Sequence, residues 1–357
     1  MTPRFIAGLA SVTVVALVAA TAGVASRYGA AAPTPPTEPV FADLGARLNQ
    51  TAELAVTTRS GKIIIKATPS GWVLANRGNF PARTDRVVKA AVQLSQLRLA
   101  DAKTRLADRH DRLEVEDIEA KDSKSKLFRL ADAQGATLAE IIVGRQVDSY
   151  RPGRESVYVR RPGDPQAWLA AGGLEVGGEI RDWLTREVID IQLNRVSRAT
   201  TVAPDGSALV VARPKGPEDK FVVDNLPDGA TLKESAAGGM EDVARSLAYL
   251  DLVDVRPVTE LDFANDKSSK VEIRTFDGLI VQVRVIDHEG GAWARFEAST
   301  NPALAAGPTT GAVDVKTEAD AINARVGRWA YKLADYKTNA FRTRLSDLIE
   351  GKTGGKS

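Results

Sequence analysis

The sequence predicts an α+β protein with two similar lobes of antiparallel β-sheet, each covered by helices, following one N-terminal transmembrane helix. Three observations carry this prediction. The pattern Leu94-x-x-Leu97-x-Leu99-x-Asp101-x-Lys103 returns as Leu247-x-x-Leu250-x-Leu252-x-Asp254-x-Arg256, which reads as one structural unit built twice. A length of 357 residues exceeds what a single core usually serves and leaves roughly 150 residues for each unit. Short β-branched runs punctuated by Ser-Gly and Asp-Gly pairs precede each copy, as expected of strands joined by tight turns. The repeated positions are largely apolar, so they report on folding rather than on chemistry.

The expected organisation is residues 1–26 as a membrane anchor or signal peptide, 27–43 as a Pro-rich linker, 44–190 as the first lobe, 191–350 as the second and 351–357 as a disordered tail. Phe5 to Ala25 contains no charged residue, and about 21 helical residues rising about 1.5 Å each match a hydrocarbon core of about 30 Å. Arg4 and the amino terminus precede this run. The positive-inside tendency therefore leaves residue 1 in the cytoplasm and predicts a single-pass inner-membrane protein with its main body in the periplasm. The rival reading is a cleaved signal peptide, with Ala30-Ala31-Ala32 as the small-residue cleavage site. Pro33, Pro35, Pro36 and Pro39 then stiffen a spacer.

In the first lobe, Leu54 to Thr58 and Lys62 to Lys66 flank the Ser60-Gly61 turn, and Ser70-Gly71 leads into Trp72-Val73-Leu74, giving a three-stranded meander. Val87, Ala91, Leu94 and Leu97 recur at helical spacing after Thr84 and Asp85, and a short strand near Ala100 to Thr104 follows. The second lobe repeats the order with strands around Thr200 to Val202, Leu209 to Ala212 and Phe221 to Val223, then a helix from Glu241 to Leu250. Ser125-Lys126-Leu127 and Ser269-Lys270-Val271 each open a strand pair. Tyr158 is matched with Trp293, and Trp183 with Trp329, while Trp168 has no counterpart. Thr317 to Asp320 reads as a capping box, and Thr338 to Ile349 as a closing helix ending at Gly351.

Composition excludes several function classes. Lys+Arg 48 against Asp+Glu 46 is too balanced for a nucleic-acid partner, and 0 Cys removes thiolate catalysis and Cys-ligated metals. The two histidines, His110 and His288, lie far apart, so neither a triad nor a His-based metal site is in evidence, and no cofactor is expected. Asp287-His288-Glu289-Gly290-Gly291 offers ligand types but sits where a hairpin turns. The carboxylates between Asp108 and Asp122 are interleaved with Arg109, Arg112 and Lys121, as in a solvated connector. Ser123-Lys124-Ser125-Lys126 contains the residue types of a Ser–Lys dyad, in a combination common in polar loops. The most suggestive cluster is Tyr150-Arg151-Pro152-Gly153-Arg154 with Arg160-Arg161-Pro162-Gly163. Arg151, Arg154, Arg160 and Arg161 are the candidates for an anionic partner, by charge-assisted hydrogen bonds; the competing reading is a hairpin with solvated charges.

Gly71-Trp72-Val73-Leu74, Phe80-Pro81-Ala82 before a helix, Leu94-x-x-Leu97, Val157-Tyr158-Val159-Arg160, Trp183-Leu184-x-Arg186 and Trp329-Ala330-Tyr331-Lys332-Leu333 together resemble the bacterial domain of unknown function numbered 4340, over roughly Ala52 to Ile349. One departure is Ala82-Arg83, where an acidic residue often follows Pro-Ala. The resemblance implies no catalytic residues. It implies an accessory role beside gliding-motility-type ABC-transporter subunits, hence a non-catalytic, membrane-anchored scaffold or binding subunit contacting a permease or an envelope polymer. The alternatives are an envelope hydrolase using carboxylates, and a solute-binding protein secreted after signal cleavage.

Overall fold

Glu53–Thr58 (β2), Gly61–Thr68 (β3) and Gly71–Leu74 (β4) form the meander that the turn residues predict, with Gly61 and Gly71 at positive φ where the chain reverses. The computed structural model describes residues 38–147, 155–185, 188–250, 252–264, 267–304 and 314–350. Phe80–Pro81 (β5), a helix Thr84–Gln96 (α1) and Arg98–Ala102 (β6) follow, and α1 buries Val87, Ala90, Ala91 and Leu94 along one face. Lys126–Ala131 (β7), Thr137–Val147 (β8), Ser156–Arg160 (β9) and Ala167–Ala171 (β10) complete the first set. A two-residue strand Glu38–Pro39 (β1) pairs with β6.

The second set is Val196–Val202 (β11), Ala208–Ala212 (β12), Val222–Val223 (β13), a helix Ala236–Ala244 (α2), Leu252–Pro257 (β14), Ser269–Thr275 (β15), Leu279–His288 (β16), Gly291–Thr300 (β17), a helix Val315–Val326 (α3) and Trp329–Leu333 (β18). The strands build two antiparallel sheets. The first runs β1-β6-β10-β9-β8-β7-β2-β3-β4-β5, and the second, read from its β14 edge, runs β14-β18-β17-β16-β15-β11-β12-β13. From β6 onward the two paths are the same, strand for strand, through β4 and β13.

The register carries the parallel into detail. Where β10 pairs with β6, Leu169 faces Asp101 and Ala170 faces Leu99, so Ala100 is the extra residue of a bulge. Where β18 pairs with β14, Leu333 faces Leu252 and Lys332 faces Asp254, so Val253 is extra. Both bulges fall at the same place in the repeated pattern. Trp168 faces Ala102 in β6 as Tyr331 faces Val255 in β14, so Trp168, for which the sequence offered no partner, occupies the β10 position equivalent to Tyr331 in β18. Trp183, matched with Trp329 in the sequence, lies instead in a 3-10 turn, Ile180–Asp182, and its flank.

By contact the chain divides into two compact units: 38–51, Thr57–Gly61 and Lys89–Val176 in one, and Ala52–Val56, Lys62–Val88 and 177–350 in the other. In the first unit Val115, Ile142 and Ala167 form a buried cluster against which Leu113, Leu127 and Tyr158 pack. In the second, Leu261, Phe263, Ile286, Trp293 and Ala330 form another, and Phe80 meets Trp329 edge-on with ring centroids 5.1 Å apart. Beside that aromatic pair Arg77 donates twice to Asp254, from Nε at 2.6 Å and Nη2 at 3.2 Å.

Local departures from the expected elements have identifiable causes. The helix expected from Glu241 starts earlier, at Ala236, because Ala236, Met240, Val243 and Ala244 are its buried face; Leu247 and Leu250 lie beyond its end and are buried all the same. A Cβ at Gly239 would stand 2.6 Å from Leu348 Cδ2, so this glycine admits a close neighbour instead of breaking the helix. Asp314, not Thr317, caps α3, accepting from the Thr317 N–H at 3.1 Å. The expected closing helix is three short pieces, Asp335–Thr338, Asn339–Phe341 and Leu345–Leu348. It breaks where the Thr343 carbonyl accepts from the Thr201 hydroxyl at 2.8 Å. Phe5 to Ala25 and the 351–357 tail lie outside the described residues, and among the described residues no helix is long and apolar enough to cross a membrane.

Candidate functional site

The residues that sequence reasoning singled out fall into separate places. His110 is buried in the first unit with Nε2 2.9 Å from the Pro165 carbonyl. His288 sits at the β16–β17 turn, where Glu289 and Gly290 take positive φ, and its Nε2 is 3.4 Å from Glu289 Oε1. Among the described residues no group of three His, Asp or Glu side chains could hold a metal ion. In the acidic connector Asp117 pairs with Arg160, and Glu116 accepts the Lys124 N–H at 2.6 Å.

Arg151 and Arg154 lie outside the described residues. Arg160 is 4% exposed: Nε donates to the Val115 carbonyl at 2.7 Å, Nη1 to the Asp164 carbonyl at 3.1 Å, and Nη2 to Asp117. Those bonds tie the 108–122 connector to β9 and occupy the guanidinium from three sides. Arg161 donates to the Val40 carbonyl at 2.6 Å and lies over the Phe41 ring, 5.2 Å from its centroid. Both described arginines thus anchor neighbouring backbone. Arg83, at the family departure, pairs with Asp85 at 2.6 Å.

Among the described residues, recesses lined by polar side chains occur where β2 turns toward β3 beside the start of β7, and where β11 turns toward β12 beside the start of β15. In the first unit, Thr58, Arg59 and Ser60 from the β2 end meet Ser123 to Lys126 at the β7 start, around a hollow of about 440 Å³. The Ser123 and Ser125 hydroxyls are 2.8 Å apart, and Lys126 donates to the Val176 carbonyl at 3.1 Å. The Ser–Lys residues are therefore brought together, with the lysine ammonium committed to a backbone oxygen rather than to a serine.

In the second unit the corresponding place is smaller and more enclosed. Thr201 to Pro204 and Ser207 from the β11 end and its turn, Lys267 and Ser269 at the β15 start, Val285 and Asp287 from β16, and Phe341 to Arg344 enclose a cavity of about 250 Å³. Arg342 donates to Asp287 Oδ1 and Arg344 to Asp205 Oδ2, each at 2.6 Å. The Ser207 hydroxyl donates to Asp205 at 2.6 Å and its N–H at 2.9 Å. Those two bonds, then Arg344, bring the Asp205 carboxyl down to about 2. Lys267 pairs with Asp262 at 3.0 Å and holds that carboxyl below its usual range. Sequence reasoning missed this convergence because its cations lie 60 or more residues along the chain from the turn that completes it; the alternation Arg342-Thr343-Arg344 after an aromatic residue was a local signal.

Other carboxylates titrate in the same direction. The guanidinium of Arg256 lowers Glu289 and that of Arg83 lowers Asp85. Burial pushes Asp277 upward, but the Thr275 hydroxyl and Arg195 outweigh it and hold the carboxyl below its ordinary value.

Fold and recesses together define an α+β protein of two antiparallel sheets with cation-lined hollows at strand ends. Within that class the chain belongs to the DUF4340 family, described as a domain of unknown function, whose family model matches residues 72–269. The matched stretch begins in β4 and ends at the start of β15, so it takes in elements of both sheets. No curated protein and no solved structure matches the chain.

Proposed function

We propose that this chain is a non-catalytic binding or scaffold subunit, tethered to the inner membrane through Phe5 to Ala25, with its body in the periplasm beside an ABC-type envelope transport or gliding-motility-like system. The observation that carries the non-catalytic reading is electrostatic. Among the described residues, the carboxylates displaced from their ordinary values are displaced downward by hydroxyl, ammonium or guanidinium partners. General acid catalysis needs a carboxyl pushed the other way, toward neutrality at working pH. Ionised carboxylates paired with arginine suit surfaces that hold a partner in fixed register.

The body is one module used twice. Identical strand order, a bulge at the same position of each pattern and a polar recess at the same strand ends support descent from a duplicated unit. Tethering raises the effective concentration of such a body toward a membrane partner, so modest contacts suffice. The test is co-purification from native membranes in mild detergent: recovery with an ABC-transporter permease is expected, and recovery of the chain alone counts against the reading. N-terminal sequencing of the native protein tests the tether. A start at residue 1 or 2 is expected, and a mature start near Ala32 or Pro33 would replace the anchor with a cleaved signal.

A further inference from the structure

We propose that the recess of the second unit, rimmed by Lys267, Arg342 and Arg344, is a binding site for a phosphate group. Three cations, Lys267, Arg342 and Arg344, line it with one carboxylate, Asp287; Asp205 and Asp262, outside the lining, pair with Arg344 and Lys267, so the cations face the hollow while each is held by an exchangeable surface partner. The cations come from two separate segments and approach one hollow together with the hydroxyls of Ser207 and Ser269. Charges arranged around a hollow suit a tetrahedral dianion, whereas a planar carboxylate is best served by one bidentate arginine. At about 250 Å³ the cavity falls below the roughly 300 Å³ at which sites for drug-sized ligands begin, so it accommodates a single headgroup-sized moiety.

The existing ion pairs are replaceable. Arg342 and Arg344 are 36% and 46% exposed, and their partners Asp287 and Asp205 are 76% and 53% exposed, so each pair is of the solvent-screened kind that contributes little. Asp205 keeps two bonds from Ser207 when Arg344 turns to a ligand, and Asp287 returns to water. Releasing these arginines therefore strands no buried charge. The first unit has Arg59, Lys124 and Lys126 with four hydroxyl residues at the matching strand ends, but there Arg59 donates to the Ala120 carbonyl at 3.0 Å and Lys126 to the Val176 carbonyl at 3.1 Å, so only the residue types recur.

The site is testable on the purified full chain in mild detergent and needs no transporter, so its failure is separable from failure of the subunit reading. Titration calorimetry at low ionic strength uses inorganic phosphate in one arm, and vesicles of phosphatidylglycerol against phosphatidylcholine in the other. Saturable binding in either arm is expected and identifies the source as a free or a lipid phosphate. Arg342→Gln with Arg344→Gln should weaken it at least tenfold, Arg342→Lys with Arg344→Lys should retain most of it, and Lys267→Gln, a change at an exposed side chain, should weaken it several-fold. Absence of saturable binding in both arms overturns the proposal, as does wild-type affinity in the Arg342→Gln/Arg344→Gln and Lys267→Gln variants.

Discussion

Replacing Arg195 by Met probes how the second sheet holds its helix. Arg195 ends a 3-10 turn, Leu193–Arg195, and joins two carboxylates: Glu318 in the first turn of α3, through Nη1 at 2.8 Å and Nη2 at 2.7 Å, and Asp277 in the β15–β16 turn, through Nε at 3.2 Å and Nη2 at 2.8 Å. Breaking a fully buried pair costs about 3–5 kcal/mol, and an exposed pair is worth about 0–1. Side chains here are 29%, 16% and 25% exposed for Arg195, Asp277 and Glu318, which places the loss between those limits, at about 2 kcal/mol after solvent screening. For a cooperative unit of this size that is a fall of about 4–8 °C in melting temperature. The pH dependence has a definite sign. Asp277 is lowered in the folded protein, so its contribution is present above the unfolded value of 3.8 and is lost as pH falls through the folded value. The gap between wild type and Arg195→Met should be full at pH 7 and should narrow below about pH 4. Thermal melts followed by circular dichroism at both pH values measure it. A loss under 1 °C at pH 7, or an equal loss at both, would refute the reasoning.

Gly78→Ala should destabilise by roughly 1–3 kcal/mol, because Gly78 has φ +63° and a Cβ there would stand 2.5 Å from Pro257 Cγ; an unchanged melting temperature would show that the neighbours give way. Arg160→Lys should cost about 2–4 kcal/mol in urea denaturation, since one ammonium cannot reach three acceptors set for a guanidinium, and should leave phosphate binding at wild-type strength. Leu94→Ala and Leu247→Ala, both fully buried at matching pattern positions, should each cost about 2–5 kcal/mol; a change under 1 kcal/mol at either would end the claim that the repeated leucines serve the core.

The meander was legible because it depends on local chemistry: turn glycines at 61 and 71, and β-branched runs of alternating burial. The repeated leucine pattern reports burial: Leu94 and Leu247, at matching positions, are each fully buried in their own unit. The start of α2 was not legible because it includes Gly238-Gly239, residues that local propensity disfavours in a helix, and the close approach of Leu348 Cδ2 to Gly239 comes from elsewhere in the chain. Trp168 was left unmatched because its strand equivalence depends on pairing across the sheet, which no window of sequence displays. The recess at Arg342 and Arg344 was hidden for a related reason: the β11 turn, the β15 start and the segment from Phe341 to Arg344 meet only after folding. Arg160 shows the converse. A cationic cluster in the sequence is ambiguous until the acceptors around each guanidinium are known, and here they are backbone oxygens and Asp117.

The extra residue in β14 changes which side chains reach the interior. Leu252 and Val255 are both buried though three positions apart, because Val253 bows out of the ladder and shifts the alternation by one. Asp254 is thereby left where Arg77 can grip it. Losing Val253 would therefore be a milder injury than losing any paired residue of the strand: Leu252, Asp254 and Val255 would alternate regularly opposite Leu333, Lys332 and Tyr331, whereas deleting Asp254 would remove the carboxylate that Arg77 holds. Since β6 bows at the matching residue, Ala100, both sheets carry one unpaired residue at this place while the ladder on either side of it is kept.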